Sequence, residues 1–308
     1  MRLLVLFPAL LACSLAYPQA IIESQIEKEL PALLSTYKHL HSNPELSYFE
    51  QKTSTLVAKE LRSLGYTVTE RVGKYEQPGL TSYGVVAVLK NGEGPTILLR
   101  TDFDALPVEE KTGLPYASKE RTNNGLGNEV SVMHACGHDL HMTCFLGAAT
   151  VLGKLRDRWK GTLVLIGQPA EEQGAGAKAM LDDGLYRRFP KPAAAVALHT
   201  NASLPTGKIG YCEGFALANV NSVDIVIRGV GGHGAYPQTT KDPIVIASEV
   251  VLALQTIVSR ETSPLDPAVV TVGSIHGGTK HNIIPDEVRM ELTVRSYKEE
   301  VRQKILAS

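Results

Sequence analysis

The chain has 308 residues, with 31 lysines and arginines against 32 aspartates and glutamates. A formal net charge of −1 excludes the electrostatic attraction on which nucleic-acid or anionic-membrane binding rests, so neither partner is expected. With 44% hydrophobic and 20% charged residues, the composition is that of a globular protein, long enough for about two domains.

The chain begins "MRLLVLFPALLACSLAYPQA". One arginine precedes an apolar run from Leu3 to Leu15, and small residues lead to Ala16. This pattern predicts a secretory signal over residues 1–16 and hence a secreted, extracellular protein. The run is broken by Pro8 and is shorter than the roughly 18 residues of a spanning helix. No other segment is expected to cross a bilayer. Removing the signal takes away Cys13 and leaves Cys136, Cys144 and Cys212. Three is an odd number for a secreted chain, so a Cys144–Cys212 bond is left open and Cys136 is the candidate free thiol. "NAS" at Asn201 is a glycosylation sequon.

Helical periodicity runs from about Ile21 to Leu40 and again through "NPELSYFEQKTSTLVAKELRSLG", which Gly65 ends. Strand-like runs follow: "YTVTERV", "YGVVAVLK" and the nearly continuous apolar "TILLRTD". From Leu140 a helix carries Phe145, Leu146, Ala149, Leu152 and Leu155 on one stripe. Two further strands of buried type, "TLVLIGQ" and "AAAVALHT", flank the helix "AGAKAMLDDGLY". Alternating strands and helices predict an α/β fold, a layered domain with a mostly parallel sheet over residues 17–217. Beyond Ala218 the style changes. "VNSVDIVIRG" alternates polar and apolar, a helix follows over "DPIVIASEVVLALQTIVSR", and then come "AVVTVGSIHGG", "DEVRMELTVRSY" and a helix opening at Lys298. Strand, helix, strand, strand, helix predicts a ferredoxin-like α+β domain over residues 218–308, incomplete at its C-terminal end.

The chemistry gathers at strand ends, where open α/β sheets bind ligands. "TILLRTDFDALP" delivers Asp102 and Asp104, "TLVLIGQPAEEQGAG" delivers Glu171 and Glu172, and "AVALHT" delivers His199. "VMHACGHDLH", entering the next helix, packs three histidines, a cysteine and an aspartate into ten positions. Cys136 and His138, two apart, can face one ion only from loop or extended backbone. Thiolate and imidazole are zinc-type ligands, and Asp139 and His134 are expected to orient the imidazoles from behind. Of the adjacent glutamates, one can hold a metal while the other moves a proton.

"RTDFDALPV", "HACGHDLH", "GQPAEEQGAGA", "GGHGAYPQTTKDP" and "HNIIPDEVRMELTVRS" together resemble the co-catalytic metallopeptidases, peptidase family M20. That family embraces aminoacylases, hippurate hydrolases, auxin-conjugate amidohydrolases and related carboxypeptidases. The resemblance covers nearly everything after the signal. It implies a zinc-peptidase-like catalytic domain with an inserted lid or dimerisation domain. It also implies two divalent ions per subunit and hydrolysis of the amide bond of N-acyl amino acids or small peptides with a free carboxylate. The thiolate favours zinc, and manganese is the alternative. Matched residue by residue, Cys136, His138, Glu172 and His199 correspond to metal ligands, Glu171 to the general base and Asp104 to an aspartate behind the site. His233 corresponds to the histidine that polarises the scissile carbonyl. Asn282 and Arg295 correspond to the pair that holds the substrate carboxylate, which suits the bidentate fork of arginine. A homodimer through residues 218–297 is implied. The family's last histidine ligand, which follows the small domain, has no counterpart before Ser308.

Two other classes fit parts of the pattern. In a thiol hydrolase, Cys136 would be activated by His134 or His138 and oriented by Asp139; survival of activity under a strong chelator would single it out. A non-catalytic relative that binds ligands or dimerises through its small domain would hold well under one equivalent of metal.

Overall fold

The computed structural model describes the backbone from Ala9 to Ser308 except Leu126, and the side chains from Gln19 onward with the same exception. The signal expected over residues 1–16 therefore lies outside the described residues in its first half and in all its side chains. The chain divides into two compact units, Met1–Ser203 and Leu204–Ser308, where the sequence pattern placed the division at 217/218.

The first unit runs α1 (Ala9–Ser42), α2 (Gln51–Ser63), β1 (Thr67–Glu70), β2 (Val85–Asn91), β3 (Thr96–Asp102), β4 (Arg121–Asn123), β5 (Glu129–Ser131), α3 (His138–Lys154), β6 (Gly161–Gln168), α4 (Gly176–Asp182), α5 (Leu185–Arg188) and β7 (Ala194–Ala197). Helix α1 is continuous from Ala9 rather than starting near Ile21. The β4–β5 hairpin has no counterpart in the sequence reading; its three-residue strands are too short to show a period.

The main sheet has the order β1-β2-β6-β3-β7. Strands β6, β3 and β7 are parallel, β2 runs against β6, and β1 runs against β2. Four of the five strands thus share one direction, a mostly parallel sheet with β2 reversed. Period-two alternation builds the layers. Val85, Ala87 and Leu89 of β2 face one way, with Leu163 and Leu165 of β6, onto Val57 and Leu61 of α2 and Met142, Phe145 and Ala149 of α3. Val86, Val164 and Ile166 face the other way, onto Met180 and Leu185. β6 is central and buried along nearly all its length. β7, expected to be buried, is exposed at all four residues, because it is the sheet's edge.

The second unit contains β8 (Asn219–Arg228), β9 (Gly232–His233), α6 (Pro243–Thr256), β10 (Ala268–Gly277), β11 (Ile283–Ile284), β12 (Glu287–Ser296) and α7 (Glu299–Ala307). β12 lies between β10 and β8, antiparallel to both, the order expected of the first three strands of a ferredoxin-like split unit. Its Val288, Met290, Leu292 and Val294 alternate inward onto Ala247, Val301 and Ile305 of the helices. Helix α6 and the π-helical turn Ile257–Glu261 form a continuous helix of 19 residues with mean hydropathy 1.5, long and apolar enough by composition to cross a bilayer. This departs from the expectation of no such segment, although Ala247 and Ile257 pack into the core of this unit.

Candidate metal centre

The centre is assembled where β3 and β6 end. The two strands run parallel in register, Asp102 beside Gln168, so the loops that follow emerge side by side. Asp102 closes β3 and Asp104 follows in its loop, while Glu171 and Glu172 come from the loop after β6. The nest lies in the turn entering α3, where Gly137 takes a left-handed φ of 78°. A Cβ at this position would stand 2.7 Å from Thr200 Oγ1, so only glycine permits the approach. Thr200 uses that proximity: its hydroxyl donates to the Cys136 carbonyl at 3.1 Å and its N–H to His141 Nε2 at 2.9 Å.

His138 is fully buried, and its Nδ1–H donates to the Asp104 carbonyl at 2.7 Å. That bond commits Nδ1 and leaves Nε2 as the ring nitrogen open to a further partner. Among the described residues Nε2 has no hydrogen-bond partner, and neither does the buried Oε1 of Glu172, 3.8 Å away. Glu171 Oε2 is 3.9 Å from the same nitrogen. His199 donates from Nδ1 to the Thr200 carbonyl at 2.8 Å, which frees its Nε2 to face Cys136 Sγ at 3.5 Å. Three groups of donors therefore meet at His138, each with its atoms within 4.8 Å of one another: Cys136 with His199, Glu171 with Glu172, and Asp102 with His141. Buried polar atoms without partners cost free energy. A sulfur, imidazole and carboxylate set converging on one point is suited to a zinc-type cation.

Electrostatics point the same way. Burial, reinforced by Glu172, Glu171 and Asp102, pushes the Cys136 thiol up to about 12, and burial also raises Glu172. The protein's own groups leave the cluster short of positive charge, which a divalent cation supplies. Asp102 behaves differently. Burial would raise it, but the hydrogen bond from His141 and the charges of His138 and Arg100 lower it to about 2. It is committed to His141 Nδ1 at 2.8 Å and to Arg100 at 2.7 Å. His141 has both nitrogens occupied, so it belongs to the frame.

Residues 98–296 match the family model of Peptidase family M20/M25/M40. The chain belongs to this family. It is 42% identical over 283 residues to the N-acetyl-L-cysteine deacetylase of Bacillus subtilis, covering 92% of this chain and 62% of that protein. It is 42% identical over 265 residues to the hippurate hydrolase of Campylobacter jejuni, covering 86% and 64%. The solved structure of a dinuclear metal binding peptidase of the M20 family from Bacillus subtilis matches with a TM-score of 0.68 at 34% identity, covering 91% of this chain and 67% of that one. The chain thus spans a little over three fifths of the length of these two curated relatives.

Of the residues singled out in sequence, the M20 fold brings together Cys136, His138, Glu171, Glu172 and His199. Asp104 lies directly behind them, fully buried: its carboxylate accepts the N–H groups of Glu171 (3.0 Å) and Glu172 (2.9 Å) and the Ser47 hydroxyl (2.6 Å). Asp139 does something else. In the first turn of α3 it takes His41 Nδ1–H at 2.6 Å, while His41 Nε2–H reaches Glu110 at 3.0 Å. It orients no imidazole of the nest. Nor does His134: burial pushes it down to about 4, and neither ring nitrogen has a hydrogen-bond partner among the described residues. Neither His134 nor Asp139 therefore takes the place that a thiol hydrolase would give it beside Cys136; the imidazole facing the sulfur is that of His199.

In the second unit, His233 lies on β9, exposed, its Nδ1 accepting the Ala235 N–H at 3.0 Å. Asn282 precedes β11, which pairs with β9. Arg295 is next to the last residue of β12, opposite Val220 and Val269. Along β12, Glu287 to Arg295 is eight residue steps, roughly 26 Å at the usual rise, and no hydrogen bond among the described residues joins Asn282 to Arg295. The structure does not bring Asn282 and Arg295 together within one chain. Asn201 is exposed, its amide oxygen accepting the Ser203 N–H at 2.8 Å. Cys136, Cys144 and Cys212 are free thiols. Sequence reasoning missed Ser47 and Glu50. Glu50 is fully buried and accepts the Ala170 N–H at 2.7 Å. Its only signal was an acidic residue at a helix start, which ordinarily marks a solvated cap.

Proposed function

We propose that this chain carries the metal centre of an amidohydrolase that cleaves the amide bond of N-acyl amino acids or short peptides bearing a free carboxylate. The observation that carries this reading is the pair of buried atoms His138 Nε2 and Glu172 Oε1, 3.8 Å apart, without hydrogen-bond partners among the described residues and joined by Cys136, His199 and Glu171. Cys136, His138, Glu172 and His199 hold divalent ions, two per subunit, with zinc favoured by the thiolate and manganese the alternative. When bound, such ions supply Lewis acidity toward the amide carbonyl and acidify water.

The protein's own groups do the rest. Glu171 is the more solvent-accessible of the two glutamates, with a side chain 38% exposed against 17% for Glu172. It takes the proton of the attacking water and returns it to the leaving nitrogen. Asp104, holding the N–H groups of both glutamates, keeps base and ligand on the same side of their turn. His233 stabilises the oxyanion, and Arg295 and Asn282 act on the substrate carboxylate. Because one chain does not bring Asn282 and Arg295 together, their joint use is consistent with a homodimer through residues 218–297. The apolar N-terminal run supports secretion, which N-terminal sequencing of the expressed protein would test by cleavage after Ala16; the exposed Asn201 fits a glycosylated product.

The reading is tested with Glu171→Gln in the full-length protein. Turnover of an N-acetyl amino acid should fall at least a thousandfold while the metal content stays that of wild type. Retained turnover, or loss of metal together with activity, would remove the assigned role.

A further inference from the structure

Glu50 is fully buried, and Oε1 accepts the Ala170 N–H at 2.7 Å while Oε2 has no partner among the described residues. A carboxyl in such a place is a costly filler, since a methionine would occupy the same volume without a polar atom to satisfy. Ala170 is itself strained: its φ of 45° lies in the left-handed region that alanine avoids. The strained residue stands immediately before Glu171 and Glu172. Three consecutive N–H groups, those of Ala170, Glu171 and Glu172, thus each point at a buried carboxylate, the first at Glu50 and the next two at Asp104. Successive N–H groups converging in this way form an anion-binding concavity. Here it is filled by side-chain acids, which turns the two glutamate side chains toward His138.

The same short segment holds the other loop. The Glu45 carbonyl accepts the Ala105 N–H at 2.8 Å, Leu46 bridges to Ala105, and the Ser47 hydroxyl donates to Asp104 at 2.6 Å. Residues 45–50 therefore act as one strut behind both acid-bearing loops.

We infer that Glu50 is a positioning residue for the centre: by accepting the Ala170 N–H it holds Ala170 in its left-handed conformation and so fixes where Glu171 and Glu172 present their carboxylates. This rests on the metal-centre reading for its functional meaning, so the test has two readouts. The first is backbone amide exchange of the 169–176 segment in chelated, metal-free protein, which needs no metal. The second is zinc affinity by titration. Glu50→Ala should speed exchange in that segment at least tenfold and weaken zinc binding at least tenfold. Glu50→Gln keeps a carbonyl oxygen for Ala170, so it should exchange no more than about twofold faster than wild type and lose no more than about twofold in zinc affinity. Should Glu50→Ala fail to fold, Glu50→Met, which fills the same volume without an acceptor, takes its place in the comparison. Wild-type exchange in the folded variant lacking the acceptor would overturn the inference, and so would a Glu50→Gln protein as impaired as that variant. Failure of wild-type protein to bind zinc at all would instead overturn the metal centre.

Discussion

Asp104→Asn is the sharpest perturbation of the frame behind the centre, because it removes a charge without removing volume. Oδ1 accepts the Glu171 N–H at 3.0 Å, and Oδ2 accepts the Glu172 N–H at 2.9 Å and the Ser47 hydroxyl at 2.6 Å. An asparagine must turn its amide N–H2 toward one of the two backbone N–H groups. One charge-assisted hydrogen bond is then lost and one buried donor left unpaired, a cost of about 3 kcal/mol. For a unit of some two hundred residues this lowers the melting temperature by roughly 6–12 °C. The assay is thermal unfolding in a chelating buffer, which keeps metal binding out of the comparison. The pH dependence has a defined sign. Burial would raise the Asp104 carboxyl, but the hydrogen bonds with His138, Ser47 and the two N–H groups hold it below its usual value. Its contribution is fully present above the ordinary carboxylate pKa and is lost as pH falls through the depressed one. The gap between wild type and variant should therefore be constant near neutrality and close in acid. A variant melting within 1 °C of wild type at pH 7, or a gap that widens on acidification, would refute this account.

Gly137→Ala should lower stability by about 2–3 kcal/mol, combining a left-handed backbone with a collision at Thr200, and should weaken zinc binding; a thermal shift and a zinc titration check both. The His41 clasp predicts a second pH effect. Burial works against the imidazolium, but hydrogen bonds to Glu110 and Asp139 outweigh it, so His41 is raised. The advantage of wild type over His41→Gln should be full below pH 6.5 and vanish as pH rises through the raised value. A difference that stays level from pH 5.5 to 9 in urea unfolding would disprove the clasp. Glu50 is raised to about 7, chiefly by burial, so its ionisation opposes folding as pH climbs from about 4.5 to 7. In metal-free protein, Glu50→Gln should match wild type at pH 4.5 and exceed it by up to about 3 kcal/mol at pH 8.

The strand ends were legible because β3 and β6 are nearly continuous apolar runs, and such runs mark buried strands whatever their neighbours. Once those strands are adjacent and parallel, Asp104 and Glu171 must emerge together, and the histidine-rich turn needs no tertiary information to stand out. What depends on distant partners was not legible. Asp139 sits among histidines in sequence, yet its acceptor atoms meet His41, 98 positions away. Glu50 looks like a cap until Ala170 is placed against it. β7 carries the apolar composition of a core strand, but exposure is decided by its place in the sheet order, which no local period encodes. Asn282 and Arg295 are near in sequence, and an extended strand carries them apart.

The open side of β7 has a practical meaning for anyone handling this chain. Among the described residues Ala194–Ala197 has no strand partner along one margin, with Val196 55% and Leu198 50% exposed beside it. No proline or charge lies within the strand itself to discourage an incoming segment. A ladder of that kind accepts a further segment from whichever molecule reaches it first. Concentrated solutions should therefore self-associate through this margin, and a lysine at Val196 would be the simplest guard.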